Sequence, residues 1–213
     1  MQTDELIAKL GASVHAVPRR AADIRLTVAL LGGALVAFLL LIVLLGVRPD
    51  ISAASATAPF WIKWVFTLSV AVAAFFVVKR LAQPDLKMGW TRFILAMPFI
   101  FVAMMGMGEL AMLPMDQWSD VILGRTSSIC SVAILGLAVP VFAGLVWAFR
   151  RLAPTRIALA GAAAGILASA VSASVYAFAC PEQAPAFMMT WYTLGMLAAA
   201  SLGAITSKLL LRW

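Results

Sequence analysis

Apolar residues run along this chain in six long blocks, residues 28–47, 60–78, 93–113, 127–149, 157–178 and 187–210, separated by short polar and charged stretches. A helix rises about 1.5 Å per residue, so about 20 predominantly apolar residues cross the hydrocarbon core of a bilayer. The blocks have roughly that length and none alternates strictly in steps of two, which predicts helices and not barrel strands. The second block is the most polar, with Lys63 near its start, and a long lysine stem is expected to carry that ammonium out to the interface. The first block is followed by Ala54, Ala56 and Ala58, as a cleaved signal would be. Its apolar core exceeds the roughly 7–15 residues of a signal peptide and follows the segment 1–25, so it reads as a retained anchor. The expected fold is all-α: a polytopic bundle of six transmembrane helices in residues 26–213, preceded by the extramembrane segment 1–25.

Composition agrees with this pattern. Hydrophobic residues make up 64% and charged residues 12% of the chain, against about 45–50% and about 25% for a soluble domain. A soluble enzyme, a disordered chain and a disulfide-stapled secreted module are thereby excluded. The net charge of +7 could suggest nucleic acid, but its placement decides otherwise. Of the 16 Lys and Arg residues, Arg48, Lys63 and Arg125 fall on one side of the predicted bundle and the other 13 on the opposite side. By the positive-inside rule that predicts both termini in the cytoplasm, in the inner membrane of a bacterium, with no nucleic-acid partner.

Two ridges of small residues predict how the bundle closes. Gly161, Gly165, Ser169 and Ala173 recur every fourth position in the fifth block, and Gly195, Ala199, Gly203 and Ser207 in the sixth. Such ridges let helix backbones approach closely, within one chain or between copies. Pro98 and Pro140 are expected to kink their helices.

The candidate chemistry gathers at one end. Cys130 falls in the first turn of the fourth helix and Cys180 just past the fifth. Their midpoint lies in the turn between those helices, so an antiparallel pair sets them at nearly equal depth. A disulfide, a shared soft metal ion and two inert thiols all remain open. Glu109 is the one acidic residue inside a block and is expected in the same layer, which Glu182, beside Cys180, can also reach. Met104, Met105, Met107, Met112, Met115, Met188 and Met189 cluster on that side, either as a soft-metal set or as apolar filler. His15 is the only histidine, so catalytic patterns that need a paired histidine are missing, as are phosphate-binding glycine loops. The chain is not expected to be an enzyme or to require a cofactor.

Residues 3–17 have helical periodicity, with Thr3 as a cap, Asp4 and Glu5 at the positive end and Pro18 as a stop. Leu6, Ile7, Leu10, Val14 and Val17 form one apolar stripe, followed by Arg19 and Arg20. So short a helix needs a surface on which to bury that stripe. The membrane and a cytoplasmic partner fit equally well.

A resemblance separates them. Thr3-Asp4-Glu5-Leu6-Ile7 with Leu10 and Pro18-Arg19-Arg20 resembles the N-terminus of the NrsF-like family, the negative regulators of sigma factor F. Arg150-Arg151-Leu152-Ala153-Pro154-Thr155, Tyr176, Cys180-Pro181-Glu182, Trp191-Tyr192-Thr193-Leu194-Gly195-Met196 and Leu210-Leu211-Arg212-Trp213 resemble it too, and Cys130 holds the family's other cysteine position. The resemblance implies a six-helix inner-membrane anti-sigma factor. Asp4, Leu6, Ile7, Leu10, Val14, Arg19 and Arg20 would then contact an extracytoplasmic-function sigma factor. Cys130 and Cys180 would sense an oxidant or bind a thiophilic metal transiently. The rival is a small solute or metal transporter built from three-plus-three inverted halves, though no echo between the halves is visible.

Overall fold

The computed structural model describes residues 21–82, 91–152, 154 and 156–210. Within these, every regular element is helical: α1 (Ala21–Leu44), α2 (Ile51–Ser55), α3 (Ala58–Leu81), α4 (Thr91–Met112), a 3₁₀ turn (Met115–Gln117), α5 (Trp118–Leu123), α6 (Ser127–Phe149), α7 (Ile157–Tyr176) and α8 (Pro185–Leu210). Six helices are long and apolar enough to cross a membrane, as the six blocks predict. The short helices α2 and α5 lie in connections that carry no long apolar pattern.

Helix ends follow local chemistry. Gly46 takes a left-handed φ of 75° and its amide returns to Leu41, 2.9 Å away, closing α1. Pro59 and Pro185 sit in the first turns of α3 and α8, where a missing amide proton costs nothing. Both α4 and α6 continue through their internal prolines, Pro98 and Pro140.

Helix α7 is the centre. It packs against α8, α3 and α6, and α1 packs mainly on α6, while α4 rests at the edge against α3 and the start of α8. The buried face of α7 is almost entirely small: Ala160, Gly161, Ala164, Gly165, Ala168 and Ser169. The predicted ridges meet there. A methyl group added to Gly161 would stand 2.2 Å from the Ser207 hydroxyl, and one on Gly165 would stand 2.2 Å from the Ala199 carbonyl. Gly195 departs from the ridge and faces Ser131 and Ile134 of α6. A second close contact joins α1 to α6, where a methyl group on Gly33 would lie 2.6 Å from the Val141 backbone. The outside is apolar, with Leu31, Leu35, Val72, Met97, Val139 and Ile205 exposed.

Candidate functional site: a buried thiol pair

Cys130 lies in the first turn of α6, its amide bonded to Thr126 at 2.9 Å. Cys180 follows α7 through tight turns, its amide reaching back to Tyr176 at 3.0 Å. These two turns bring the cysteines together, and both are wholly buried free thiols. The two thiols lie close enough for each to shift the other's titration. The equal depth inferred from the sequence is therefore realised; the disulfide is not, because the sulfurs are unbonded.

Three side chains that the sequence reading did not assign enclose the pair. Tyr192, fully buried, turns its hydroxyl toward the Cys180 sulfur. That hydroxyl has no hydrogen-bond partner among the described residues. The helix widens into one π turn over Met188–Tyr192. Its Trp191 carbonyl accepts from Ser131 at 2.8 Å, binding α8 to α6 beside the thiols.

Lys63 corrects the expectation most sharply. Its side chain does not run out to an interface; it is 1% exposed. The ammonium donates to the Cys180 carbonyl at 3.3 Å and to the Glu182 carbonyl, and lies 5.8 Å from the centre of the Tyr192 ring. The reason is that the loop following α7 turns the Cys180 and Glu182 carbonyls toward Lys63, and buried carbonyls need donors. A charge one turn inside an apolar block was the sequence signal for this role.

Arg48, beyond α1, holds the same segment. Its amide donates to the Phe178 carbonyl at 3.1 Å and its guanidinium to the Cys180 carbonyl at 3.4 Å. The guanidinium also forks onto Asp50 at 2.7 and 2.6 Å. That fork raises the Arg48 pKa and holds the Asp50 carboxyl below the usual carboxylate range. The Cys180 thiol is also held below its ordinary range, first by the neighbouring Cys130 thiol, with the Lys63 charge acting in the same direction against burial.

Both predicted carboxylates serve as helix caps. Glu182 accepts from the Arg125 amide at 2.7 Å and the Thr126 hydroxyl at 3.3 Å, ahead of α6. Glu109 accepts from the Ala186 amide at 2.8 Å, at the start of α8. Among the described residues no group of three or more His, Cys, Asp or Glu side chains converges as a metal set. Of the methionines on that side, Met104, Met107, Met112 and Met115 are exposed on the outside of the bundle, while Met188 is buried. A recess of about 600 Å³ lined by Ser119, Asp120, Gly124, Arg125, Pro181 and Glu182 opens beside Cys180. Asp4, Leu6, Ile7, Leu10, Val14, Arg19 and Arg20 lie outside the described residues.

The fold and site together define a bundle of six helices of membrane-spanning length that buries a cysteine pair and a lysine beside the ends of α1, α6 and α7. Over residues 10–213 the chain matches the family model described as negative regulator of sigma F, and it belongs to that family, NrsF. It is 39% identical to the "Probable anti-sigma-F factor NrsF" of Azospira oryzae and 37% identical to the "Anti-sigma-F factor NrsF" of Caulobacter vibrioides, each alignment covering the whole of both chains. No solved structure matches it.

Proposed function

We propose that this chain is a membrane-bound anti-sigma factor that sequesters an extracytoplasmic-function sigma factor through residues 1–25 and releases it when the thiol pair reacts. Membership of the NrsF family carries the anti-sigma reading. The apolar exterior supports insertion into a bilayer, since a patch of this size facing water would aggregate. The asymmetry of Lys and Arg supports cytoplasmic termini, which sets the thiol pair on the opposite, extracytoplasmic side. Residues 26–213 would form the membrane domain.

The juxtaposition of two wholly buried free thiols carries the sensing reading. A hydroperoxide takes two electrons and two protons from the thiols; an S–S bond forms and an alcohol and water leave. A thiophilic metal ion would displace the thiol protons instead. Either change alters the junction of α6 and α7, against which α1 packs. A tenfold preference of the signal for the releasing arrangement amounts to about 1.4 kcal/mol.

Affinity purification of the tagged chain in detergent, with and without residues 1–20, tests the partner. A sigma factor is expected only with the intact segment, and no sigma factor with either form removes the reading. Replacing Cys130 and Cys180 together by Ser should preserve repression and abolish induction by oxidant or metal. A double variant that still responds normally removes the thiol sensor.

A further inference from the structure

The backbone from Phe178 to Glu182 is held from several directions at once. From α1 come the Phe38 ring, 5.9 Å from that of Phe178, and just beyond its end Arg48, which binds the carbonyls of Phe178 and Cys180. From α3 come Trp64, whose ring centre lies 5.0 Å from that of Phe178, and Lys63, on the carbonyls of Cys180 and Glu182. In the other direction Glu182 caps α6, one turn before Cys130. The segment containing one sensor thiol is therefore also the point where the α1 end is fastened. Arg48 is 9% exposed and its grip is fixed by Asp50.

On this geometry we infer that Arg48 is the positioning residue that couples the thiol pair to α1: a clamp on the Phe178 and Cys180 carbonyls that is closed while the thiols are free and opens when the pair reacts. The inference rests on the thiol-sensing reading and adds the route by which it reaches the N-terminal segment. Bonding Cys180 to Cys130 draws Cys180 toward α6 and turns its carbonyl. A guanidinium already anchored on Asp50 cannot follow that carbonyl and keep its fork, so the α1 end is freed. Helix α1 leads from Arg48 directly to residues 1–20, so a shift at its far end is carried along a rigid rod to the sigma-binding segment.

Two measurements on the full chain in lipid nanodiscs test this. The first needs no substitution: amide hydrogen exchange in residues 45–57, which include the Arg48 amide bonded to Phe178, is compared before and after hydrogen peroxide converts the pair to a disulfide. Exchange is expected to rise at least tenfold on oxidation, and unchanged exchange overturns the inference. The second is sigma retention by Arg48→Gln with both thiols reduced. Retention is expected to fall at least tenfold without any oxidant, while disulfide formation by peroxide keeps its wild-type rate and Arg48→Lys restores binding to within threefold. A folded Arg48→Gln chain that retains the sigma factor like wild type overturns the clamp. Arg48→Gln acts with the thiols untouched, so its outcome is separate from the Cys130→Ser/Cys180→Ser test of the sensor. If sigma loss in Arg48→Gln comes with a changed thiol oxidation rate, the residue is merely holding the fold and the inference also falls.

Discussion

The Lys63 ammonium stands 3.3 Å from the Cys180 carbonyl oxygen, and both side chains are buried. The lysine thereby fastens the loop that follows α7, in a different part of the chain. Removing it leaves the Cys180 and Glu182 carbonyls without that buried donor.

Lys63→Met should therefore destabilise the bundle, by about 1–3 kcal/mol for a carbonyl left unpaired. Lys63→Arg, which keeps the charge and the donors, should recover most of that loss. Reversible unfolding in bicelles by added detergent measures both. Equal stability of Lys63→Met and wild type would show that the two carbonyls find other donors.

The six helices and the meeting of α7 with α8 were legible in the sequence because both depend on period and residue size alone. A run such as Gly161-Ala162-Ala163-Ala164-Gly165 can do little in a bundle except admit another backbone. The depth of the thiol pair was legible for a similar reason: two helices joined by a short turn fix the height of residues counted from that turn. The ring around the pair was not. Lys63 and Arg48 are far from Cys180 in sequence: a charge one turn inside an apolar block marks Lys63 as needing a polar partner, but does not say that the partner is the loop after α7. Glu109 and Glu182 were placed near the right end, but the amides they accept from, at Ala186 and Arg125, are far from them in sequence and could not be read from local pattern. The π turn at Met188–Tyr192 has no sequence mark that period counting detects.

The α7–α8 contact predicts a contrast between glycines. At Gly161 and Gly203 an added methyl meets the facing backbone at 2.3 Å, and neither backbone can retreat without parting the helices. Gly203→Val should cost upward of the about 1–3 kcal/mol typical of overpacking and lower the amount of folded protein in membranes. Gly32→Ala and Gly136→Ala, where nothing lies within 4 Å, should leave it unchanged. Folded yield measured by fluorescence-detected chromatography separates the two groups, and equal losses in all three variants would refute the packing.

Gly124 makes a different demand. Its φ of 52° with ψ of −162° belongs to a region that only glycine enters readily, and a methyl group there would stand 2.7 Å from the Glu182 carboxylate. Gly124→Ala should cost about 1–3 kcal/mol through backbone strain and also push Glu182 off the α6 cap. Glu182→Gln keeps the hydrogen bonds while losing the charge at the helix start, and should cost less than about 1 kcal/mol. Thermal unfolding of the two variants side by side gives the ranking. Glu182→Gln falling below Gly124→Ala would mean that the carboxylate charge matters more than the turn.

The Arg48–Asp50 fork carries a pH dependence of known sign. Arg48 holds the Asp50 carboxyl below its ordinary value, so the folded chain takes up that proton less readily than the unfolded chain. The contribution of the fork is complete above the unfolded value of about 3.9 and is lost as the pH falls through the lower folded value. Amide protection in residues 45–57, corrected for the intrinsic exchange rate, should thus stay level from about pH 7 to about pH 4.5 and decline only below the ordinary aspartate value. Asp50→Asn removes the charge at every pH and should show the lowered protection throughout, with no further step on acidification. If wild-type protection instead declines between pH 7 and pH 5, a group with a higher pKa holds Arg48, and Asp50 is not its anchor.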